Sequence, residues 1–227
     1  RVSQNRPARF RGVFRTDEGA RAVYSETAGV ARIIPAAVAV PADAEDLVDL
    51  VRWAAETRTP LVPRGSGSSM ANGALGEGVI VDFARFDRVG SLAAGARSIS
   101  VGAAVTRDQV QHIVARQGLS FPIDPSSSAF ATFGGICATH AAGARTVKYG
   151  PLRDWITALE CVFADGTRAW LRRGEQALDL PALRRFDTDV APRVRNAERA
   201  TLRHDGVRKE SSGYALDAWR ESSEPVD

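Results

Sequence analysis

The chain has 227 residues, with 30 Lys and Arg against 27 Asp and Glu, a formal net charge of +3, and hydrophobic residues make up 44% of it. This composition is typical of a globular protein, and the length fits one large domain or two small ones. The sequence excludes a membrane-spanning helix, which needs an apolar run of roughly 20 residues; two cysteines are too few for a disulfide framework, and three scattered histidines do not suggest structural zinc.

The first part of the chain predicts an arm, a strand and a helix. Residues 1–32 are rich in arginine and small residues, and we predict an N-terminal arm with short helical turns. Residues 33–41 form an apolar run bounded by prolines, which predicts a strand. Asp43 follows as the cap of a helix whose apolar residues recur at helical spacing and which ends at Thr59-Pro60.

Short apolar runs then predict four strands, at residues 61–63, 79–83, 99–103 and 119–123. Between the last two, Thr106 and Gln109 form a capping box that begins a helix, and Gly118 ends it.

The last part of the chain predicts a hairpin and further helices. Residues 156–164 and 168–171 form two strands around Asp165-Gly166, a common tight-turn pair. Residues 174–205 are charged and helix-prone. Their expected buried face consists of Leu178, Leu180 and Leu183. The whole pattern is a mixed α and β layout with at least two subdomains.

The strand at residues 61–63 leads directly into a loop of glycine and serine, residues 65–69, which indicates an anion-binding site. Glycines let backbone N–H groups converge on an anion, and serine hydroxyls add donors. The loop is not a Walker A motif, because it lacks the Gly-Lys-Ser/Thr ending. It is not a Rossmann fingerprint, because Met70 stands where a third glycine is needed. Alone, such a loop is equally well a structural turn.

A second segment, residues 124–143, consists almost entirely of small residues. Small residues occur where another backbone or a flat ligand approaches closely, and tight packing of a helix on a sheet is the alternative explanation. Two such segments, separated by a βαβ-like passage, favour one site for a long ligand.

Taken together, the motifs resemble the FAD-binding domain of the vanillyl-alcohol oxidase and para-cresol methylhydroxylase superfamily, in the branch of glycolate oxidase and D-lactate dehydrogenase. The resemblance covers the chain from about Thr16 to Leu171. The residues that carry it are Tyr24-Ser25, 35–41, 63–68, Pro125-Ser126, 131–135, 148–150 and 160–167.

The resemblance implies an α+β fold of two subdomains, the PCMH-type FAD-binding fold, with FAD extended between them and the C-terminal cap domain absent. The expected division is an N-terminal arm at residues 1–32, FAD-binding subdomain 1 at 33–105 and FAD-binding subdomain 2 at 106–227. The second subdomain includes the start of a connection to a substrate domain, because residues 207–217 resemble that connection.

The resemblance also implies which residues contact FAD. The pyrophosphate loop, which binds through backbone N–H groups, comprises Pro63, Arg64, Gly65, Ser66, Gly67, Ser68 and Ser69. The residues expected along the ribityl chain and the isoalloxazine ring are Pro125, Thr132, Gly134, Gly135, Ala138, Thr139 and Gly143. Tyr149 and Gly150 are further expected contacts. The physical interpretation agrees, since a diphosphate needs donors and a flat ring needs a wall without large side chains.

The sequence departs from the family pattern at several positions. Serines stand at 66, 68 and 69 where the family often has Thr or Gly, and Cys137 and His140 stand where it often has Asn. We interpret Cys137 as a packing residue rather than a redox thiol and His140 as structural rather than as a base. The first loop contains no histidine for a covalent flavin link, so we predict non-covalent FAD.

The function implied by the resemblance is oxidation of a 2-hydroxy acid of the glycolate or D-lactate type. The C2 hydrogen would pass to flavin N5 as a hydride, and the electrons would continue to an acceptor that the sequence does not identify. We expect the chain to be the cofactor-binding part of a larger flavoenzyme, whose catalytic base the sequence does not assign.

Two alternatives remain. The same fold serves alcohol and phenol oxidases, and a non-catalytic module could bind a nucleotide or nucleic acid. Dispersed basic residues and only 7% aromatic residues argue against nucleic acid. We expect a cytoplasmic protein without a transmembrane segment, and a peripheral membrane contact stays open.

Overall fold

The computed structural model describes residues 5–93, 95–175, 179–198, 202, 206, 214–224 and 226. The strands are β1 (Val13–Arg15), β2 (Ala37–Val40), β3 (Leu61–Arg64), β4 (Val79–Asp82), β5 (Ala158–Val162) and β6 (Arg168–Arg172). The helices are α1 (Glu18–Val23), α2 (Ala44–Thr57), α3 (Arg107–Ala115), α4 (Phe133–Ala138), α5 (Thr146–Tyr149), α6 (Pro181–Asp189), α7 (Ala191–Asn196) and α8 (Leu216–Ser222). A 3-10 turn covers Leu152–Trp155.

Strands β1 to β4 form a four-stranded sheet in the order β1-β2-β4-β3. Strands β2, β4 and β3 are parallel, and β1 runs antiparallel to β2 at the edge. The apolar face of the sheet, which includes Ala39 and Val81, packs against Leu47 and Leu50 of α2. Because β3 and β4 are parallel, their carboxyl ends meet at one edge, with Arg64 in register with Asp82.

The predicted cap of helix α2 is confirmed, because the Asp43 side chain accepts a hydrogen bond from the Asp46 N–H. Asp46 itself has a role that its sequence position did not reveal. It is fully buried, and its carboxylate accepts from the N–H groups of Arg11, Gly12 and Ala42 at 2.7–2.8 Å. The carboxylate therefore holds the N-terminal segment against the start of α2.

Part of the predicted N-terminal arm belongs to the sheet and its core. β1 pairs with β2, and Phe10 is only 2% exposed within the core cluster. A strand is recognised in a sequence by alternating apolar and polar residues, and three residues are too few to show this alternation. The sequence therefore did not predict β1. The predicted helical turn is present as α1.

Helix α3 is confirmed, with both hydrogen bonds of the Thr106 and Gln109 capping box. The predicted strands at residues 99–103 and 119–123 are wrong. Val101 makes only an isolated bridge to Val89. The carbonyls of Phe121 and Ile123 accept hydrogen bonds from the Arg107 guanidinium instead of a neighbouring strand.

The hairpin of β5 and β6 is confirmed, and Gly166 adopts φ = 78° in its turn. The buried face predicted for residues 174–205 is wrong: Leu180 and Leu183 are half-buried, and Leu178 lies outside the described residues. The buried residues are Ala191 and Val194, which pack with Trp219 of α8 because α7 and α8 contact each other.

Residues 207–213, part of the predicted connection to a substrate domain, also lie outside the described ranges. Within those ranges, every helix is too short or too polar to cross a membrane.

Candidate functional site

The glycine- and serine-rich loop, residues 65–69, begins where β3 ends. Within the described residues, none of its five backbone N–H groups donates a hydrogen bond. Most of the loop is half-buried rather than fully exposed. Backbone N–H groups that the chain itself does not pair are available as donors to an anion.

The opposite side of the loop is held by the chain. The Gly67 carbonyl accepts a hydrogen bond from the Ala28 N–H, with N and O 3.0 Å apart. Gly67 has φ = 72°, and a Cβ there would lie 2.6 Å from Nη2 of Arg64. The left-handed conformation favours glycine at this position, and a side chain here would displace the Arg64 guanidinium.

The two small-residue segments meet at Gly65 and Thr132. A Cβ on Gly65 would lie 2.1 Å from Thr132 Oγ1, so a side chain at position 65 would have to displace this hydroxyl. Thr132 precedes α4, is 8% exposed and does not cap the helix with its side chain. Its hydroxyl makes no hydrogen bond in the part of the chain that the structure describes. A polar side chain is thereby available directly beside the loop.

The beginning of α4 packs on the backbone of residues 103–105. The Phe133 N–H donates to Val105 and the Gly134 N–H to Ala103, at 2.8 and 2.9 Å. A Cβ on Gly134 would lie 2.9 Å from that of Ala103. Gly134 is therefore required for packing, and of the predicted glycine pair only the Gly135 N–H is unpaired within the described residues.

Asp124 fixes the far end of the second segment. A Cβ on Gly143 would lie 2.1 Å from the Asp124 carbonyl oxygen, and the Asp124 carboxylate pairs with the Arg145 side chain at 3.2 Å. The Gly143 N–H donates to Thr146 Oγ1. Pro125 follows Asp124 at the start of this segment and is half-buried. Close packing against Asp124 therefore explains why position 143 is a glycine, without reference to a ligand.

Ala138 and Thr139 are exposed at the end of α4, where the Thr139 hydroxyl donates to the Gly135 carbonyl. Tyr149 is 37% exposed, with Lys148 Nζ 5.0 Å from its ring centroid. Gly150 has φ = 74° and lies against Asp154. No hydrogen bond, ion pair or ring contact among the described residues joins Tyr149 or Gly150 to the loop.

A cavity of about 420 Å³ lies beside the end of α4. Its lining includes Cys137 and His140, together with Arg153 and Tyr214. Burial, with a smaller contribution from nearby Cys161, raises the pKa of the Cys137 thiol to about 11. A protonated thiol is a weak nucleophile, which agrees with the interpretation of Cys137 as a packing residue. His140 has φ = 47°, an uncommon left-handed conformation for a residue with a side chain.

The sequence did not reveal the contacts that hold the loop from outside, although Arg64 is among the predicted site residues. The Arg64 guanidinium donates to the Glu26 carbonyl at 2.8 Å and lies 5.2 Å from the Tyr24 ring centroid. The Tyr24 hydroxyl donates to Asp82. Asp82 gave one usable signal, because it ends a predicted strand beside the strand that leads into the loop.

This arrangement offers hydrogen-bond donors to an anion. Unpaired N–H groups and the free Thr132 hydroxyl lie where the two segments meet, and small residues continue from there. No group of three or more metal-ligating side chains occurs among the described residues, so anion binding would rely on these donors.

Comparison with known proteins gives consistent matches. The family model described as FAD binding domain matches residues 35–172. The chain is 35% identical over 131 residues to D-lactate dehydrogenase of Archaeoglobus fulgidus, covering 57% of this chain and 29% of that protein. It is 30% identical over 156 residues to glycolate oxidase subunit GlcD of Bacillus subtilis, covering 67% of this chain and 33% of that protein.

Among solved structures, the chain is similar in fold to BBE-like 1 of Physcomitrella patens. The TM-score is 0.66 at 21% sequence identity, over 74% of this chain and 37% of that one. The matched region is thus about a third of the length of each of these proteins.

Proposed function

The chain belongs to the FAD binding domain family, and from this membership we propose that residues 65–69 bind the diphosphate of FAD. The observation that carries the proposal is the set of five loop N–H groups that donate no hydrogen bond within the described residues. Convergent backbone donors are the feature by which phosphate groups are bound in loops of this kind.

Family membership confirms the fold class and the cofactor predicted from the sequence, a PCMH-type α+β fold and FAD. When bound, FAD supplies a two-electron acceptor for the oxidation of an alcohol carbon. The attachment is proposed to be non-covalent, which is supported by the absence of histidine from residues 63–69.

The residues that we assign to FAD differ in the kind of support they have. Gly65 to Ser69 are supported by their unpaired N–H groups, and Thr132 by its free hydroxyl beside Gly65. Gly135, Ala138 and Thr139 are supported by their position along the same segment. Pro63, Arg64, Pro125, Gly134, Gly143, Tyr149 and Gly150 stay in the proposal as neighbours that shape the site.

For the whole protein, we propose oxidation of a 2-hydroxy acid, with transfer of electrons to an acceptor. The support is the set of relatives named for such reactions, D-lactate dehydrogenase, D-2-hydroxyglutarate dehydrogenase and glycolate oxidase subunit GlcD. Cytoplasmic location is part of the same proposal, supported by two free cysteines in the structure.

Cofactor binding is tested on the purified chain by adding FAD, desalting, and recording the visible spectrum before and after acid precipitation. We expect a retained flavin spectrum and release of all flavin into the acid supernatant. A chain that retains no FAD and does not quench flavin fluorescence would contradict the proposed cofactor site. Flavin that stays with the precipitate would contradict non-covalent attachment only.

The substrate class is tested on the FAD-loaded full-length gene product under anaerobic conditions. Addition of D-lactate, glycolate or D-2-hydroxyglutarate should bleach the flavin spectrum, while a phenol or a primary alcohol should not. Bleaching by a phenol or a simple alcohol alone would favour the other oxidase branch.

A further inference from the structure

The segment between α1 and β2, residues 24–29, contacts the loop and the residues that follow it. The Ala28 N–H donates to the Gly67 carbonyl, and the Thr27 hydroxyl donates to Asn72 Oδ1 at 2.9 Å. A Cβ on Gly29 would lie 2.1 Å from the same Asn72 oxygen. The segment therefore contacts the loop region at two places.

Arg64 connects this segment to the loop. Its Nη2 donates to the Glu26 carbonyl at 2.8 Å, and its Nη1 reaches the Tyr24 carbonyl at 3.4 Å. The same guanidinium lies directly beneath Gly67, where a Cβ would be 2.6–3.1 Å from its atoms. Both hydrogen bonds of the Arg64 guanidinium thus go to backbone carbonyls of residues 24–29. The same segment supplies the N–H group that binds the Gly67 carbonyl.

Tyr24 and Asp82 complete the arrangement. The Tyr24 ring lies beside the Arg64 guanidinium, and its hydroxyl donates to Asp82, which also accepts from the Ala84 N–H at 2.8 Å. Asp82 is in register with Arg64 across the β3–β4 ladder. The carboxylate therefore fixes the ring, and the ring and two carbonyls fix the guanidinium.

We propose that Arg64, Tyr24 and Asp82 are positioning residues that hold the 65–69 loop in its anion-binding conformation, and that the Arg64 side chain acts through these contacts rather than as a phosphate ligand. This inference rests on the proposed function, because it concerns the same diphosphate site. It assigns a role to two residues, Tyr24 and Asp82, that have no expected contact with FAD.

The two possible roles of Arg64 predict different behaviour of the conservative variant. As a phosphate ligand, residue 64 would keep its charge in Arg64→Lys and lose it in Arg64→Met, so the Met variant would bind FAD clearly more weakly than the Lys variant. A positioning residue needs the planar guanidinium, whose two Nη groups bind two different carbonyls at once, and lysine has no such group. We therefore expect Arg64→Lys and Arg64→Met to raise the Kd for FAD alike, by about tenfold.

Salt dependence separates the roles independently. Each cation that contacts a phosphate contributes to the salt dependence of anion binding by proteins, since screening weakens the contact. We expect the slope of log Kd against log salt concentration to be the same for wild type and both Arg64 variants. Tyr24→Phe keeps the ring but removes the bond to Asp82, so it should raise the Kd about threefold. Combined with Arg64→Lys, it should add little, because both residues act in one network.

The matched control is Arg32→Met, since Arg32 contacts Ser25 and Glu26 in the same neighbourhood but does not contact the loop. It should leave the Kd for FAD unchanged. All variants are compared by flavin fluorescence quenching with FAD and with riboflavin, which lacks the diphosphate, and by thermal unfolding. Affinity for riboflavin should not change.

Three results would overturn the inference: an Arg64→Lys protein with wild-type affinity, a shallower salt dependence in Arg64→Met, or an equal loss of riboflavin and FAD binding in the variants. A wild-type chain that binds no FAD would instead reject the proposed function and this inference with it. The failures are therefore distinguishable by the behaviour of the wild type.

Discussion

The side chain of Thr132 packs directly against the backbone of Gly65. A Cβ built on Gly65 would lie only 2.1 Å from Thr132 Oγ1. This contact joins the loop after β3 to the segment that begins α4, although 67 positions separate the two residues in the sequence. The two small-residue segments thus share a surface at this contact, as one site for a long cofactor would need.

Replacing Gly65 should disrupt this surface. Gly65→Ala forces its methyl group against the Thr132 hydroxyl, which should destabilise the chain by about 1–3 kcal/mol and weaken FAD binding at least tenfold. The measurements are urea unfolding and FAD titration. The Thr132→Ala change removes the clashing oxygen, so the double variant should regain most of the stability.

Gly73→Ala is the matched control, because a Cβ there meets nothing within 4 Å. It should leave both stability and FAD affinity near wild type. A Gly65→Ala protein that behaves like Gly73→Ala would contradict the close contact with Thr132.

The contact of Gly67 with Arg64 can be separated from its backbone conformation. Gly67 and Gly118 both have positive φ, 72° and 68°, but only Gly67 has a neighbour where a Cβ would lie. Gly118→Ala should cost about 1 kcal/mol from backbone strain, and Gly67→Ala should cost clearly more. Equal losses of unfolding free energy in the two variants would argue against the guanidinium contact.

Ionisation of Tyr24 should make the free energy of unfolding depend on pH in the alkaline range. Burial, followed by its hydrogen bond to Asp82, raises the pKa of Tyr24 to about 12 from the ordinary value of 10.0. The folded state therefore holds the phenolic proton more tightly than the unfolded state does. The resulting stabilisation is complete below pH 10 and is lost as the pH rises through about 12.

Tyr24→Phe removes that proton and should flatten this part of the decline in unfolding free energy. Ultraviolet difference titration of the two proteins should assign the late-titrating phenol to Tyr24. If the phenol that the substitution removes is one that titrates near pH 10, the half-buried bond of Tyr24 to Asp82 is contradicted.

Cys137 should react slowly with alkylating reagents. With its pKa raised to about 11 from 9.0, the thiolate population at neutral pH falls about a hundredfold. Iodoacetamide labelling of the folded chain, followed by mass spectrometry, should modify Cys137 far more slowly than in the urea-unfolded chain. Rapid modification of the folded protein would show that the thiol is activated and would reopen a redox role.

Arg107 should be important for the second segment. It is 8% exposed and donates to the Phe121 and Ile123 carbonyls just before Asp124. Arg107→Met leaves these carbonyls without their donor and should cost about 2–4 kcal/mol in urea unfolding. Arg116→Met, at an exposed position of the same helix region, should change stability by less than about 0.5 kcal/mol. Equal effects would argue against the Arg107 contacts.

Local signals in the sequence were sufficient for α2, α3 and the β5–β6 hairpin, because a cap, an apolar spacing or a turn pair specifies each of them within a few residues. The predicted strand at residues 119–123 failed because its carbonyls bind a side chain, which no alternation pattern reveals. The edge strand β1 pairs with residues 23–27 positions away, and the buried Asp46 binds backbone N–H groups 34 and 35 positions away, so local patterns show neither.

The site shows the same division. The composition of residues 65–69 and 124–143 was sufficient to propose a place for an anion and a flat ligand. The pairs that fix this place were not visible: Tyr24 and Asp82 are 58 positions apart, and Gly134 and Gly143 turned out to be required by neighbouring backbone.

We propose that the backbone N–H groups of residues 65–69 bind the diphosphate of FAD. The most direct test is a titration of the isotopically labelled chain, in which the amide resonances of Gly65 to Ser69 are followed by NMR. We predict that FAD and ADP shift these amides downfield, whereas riboflavin leaves them near their starting positions. If FAD binds with these five resonances unmoved, the diphosphate lies elsewhere and the account of the loop is wrong.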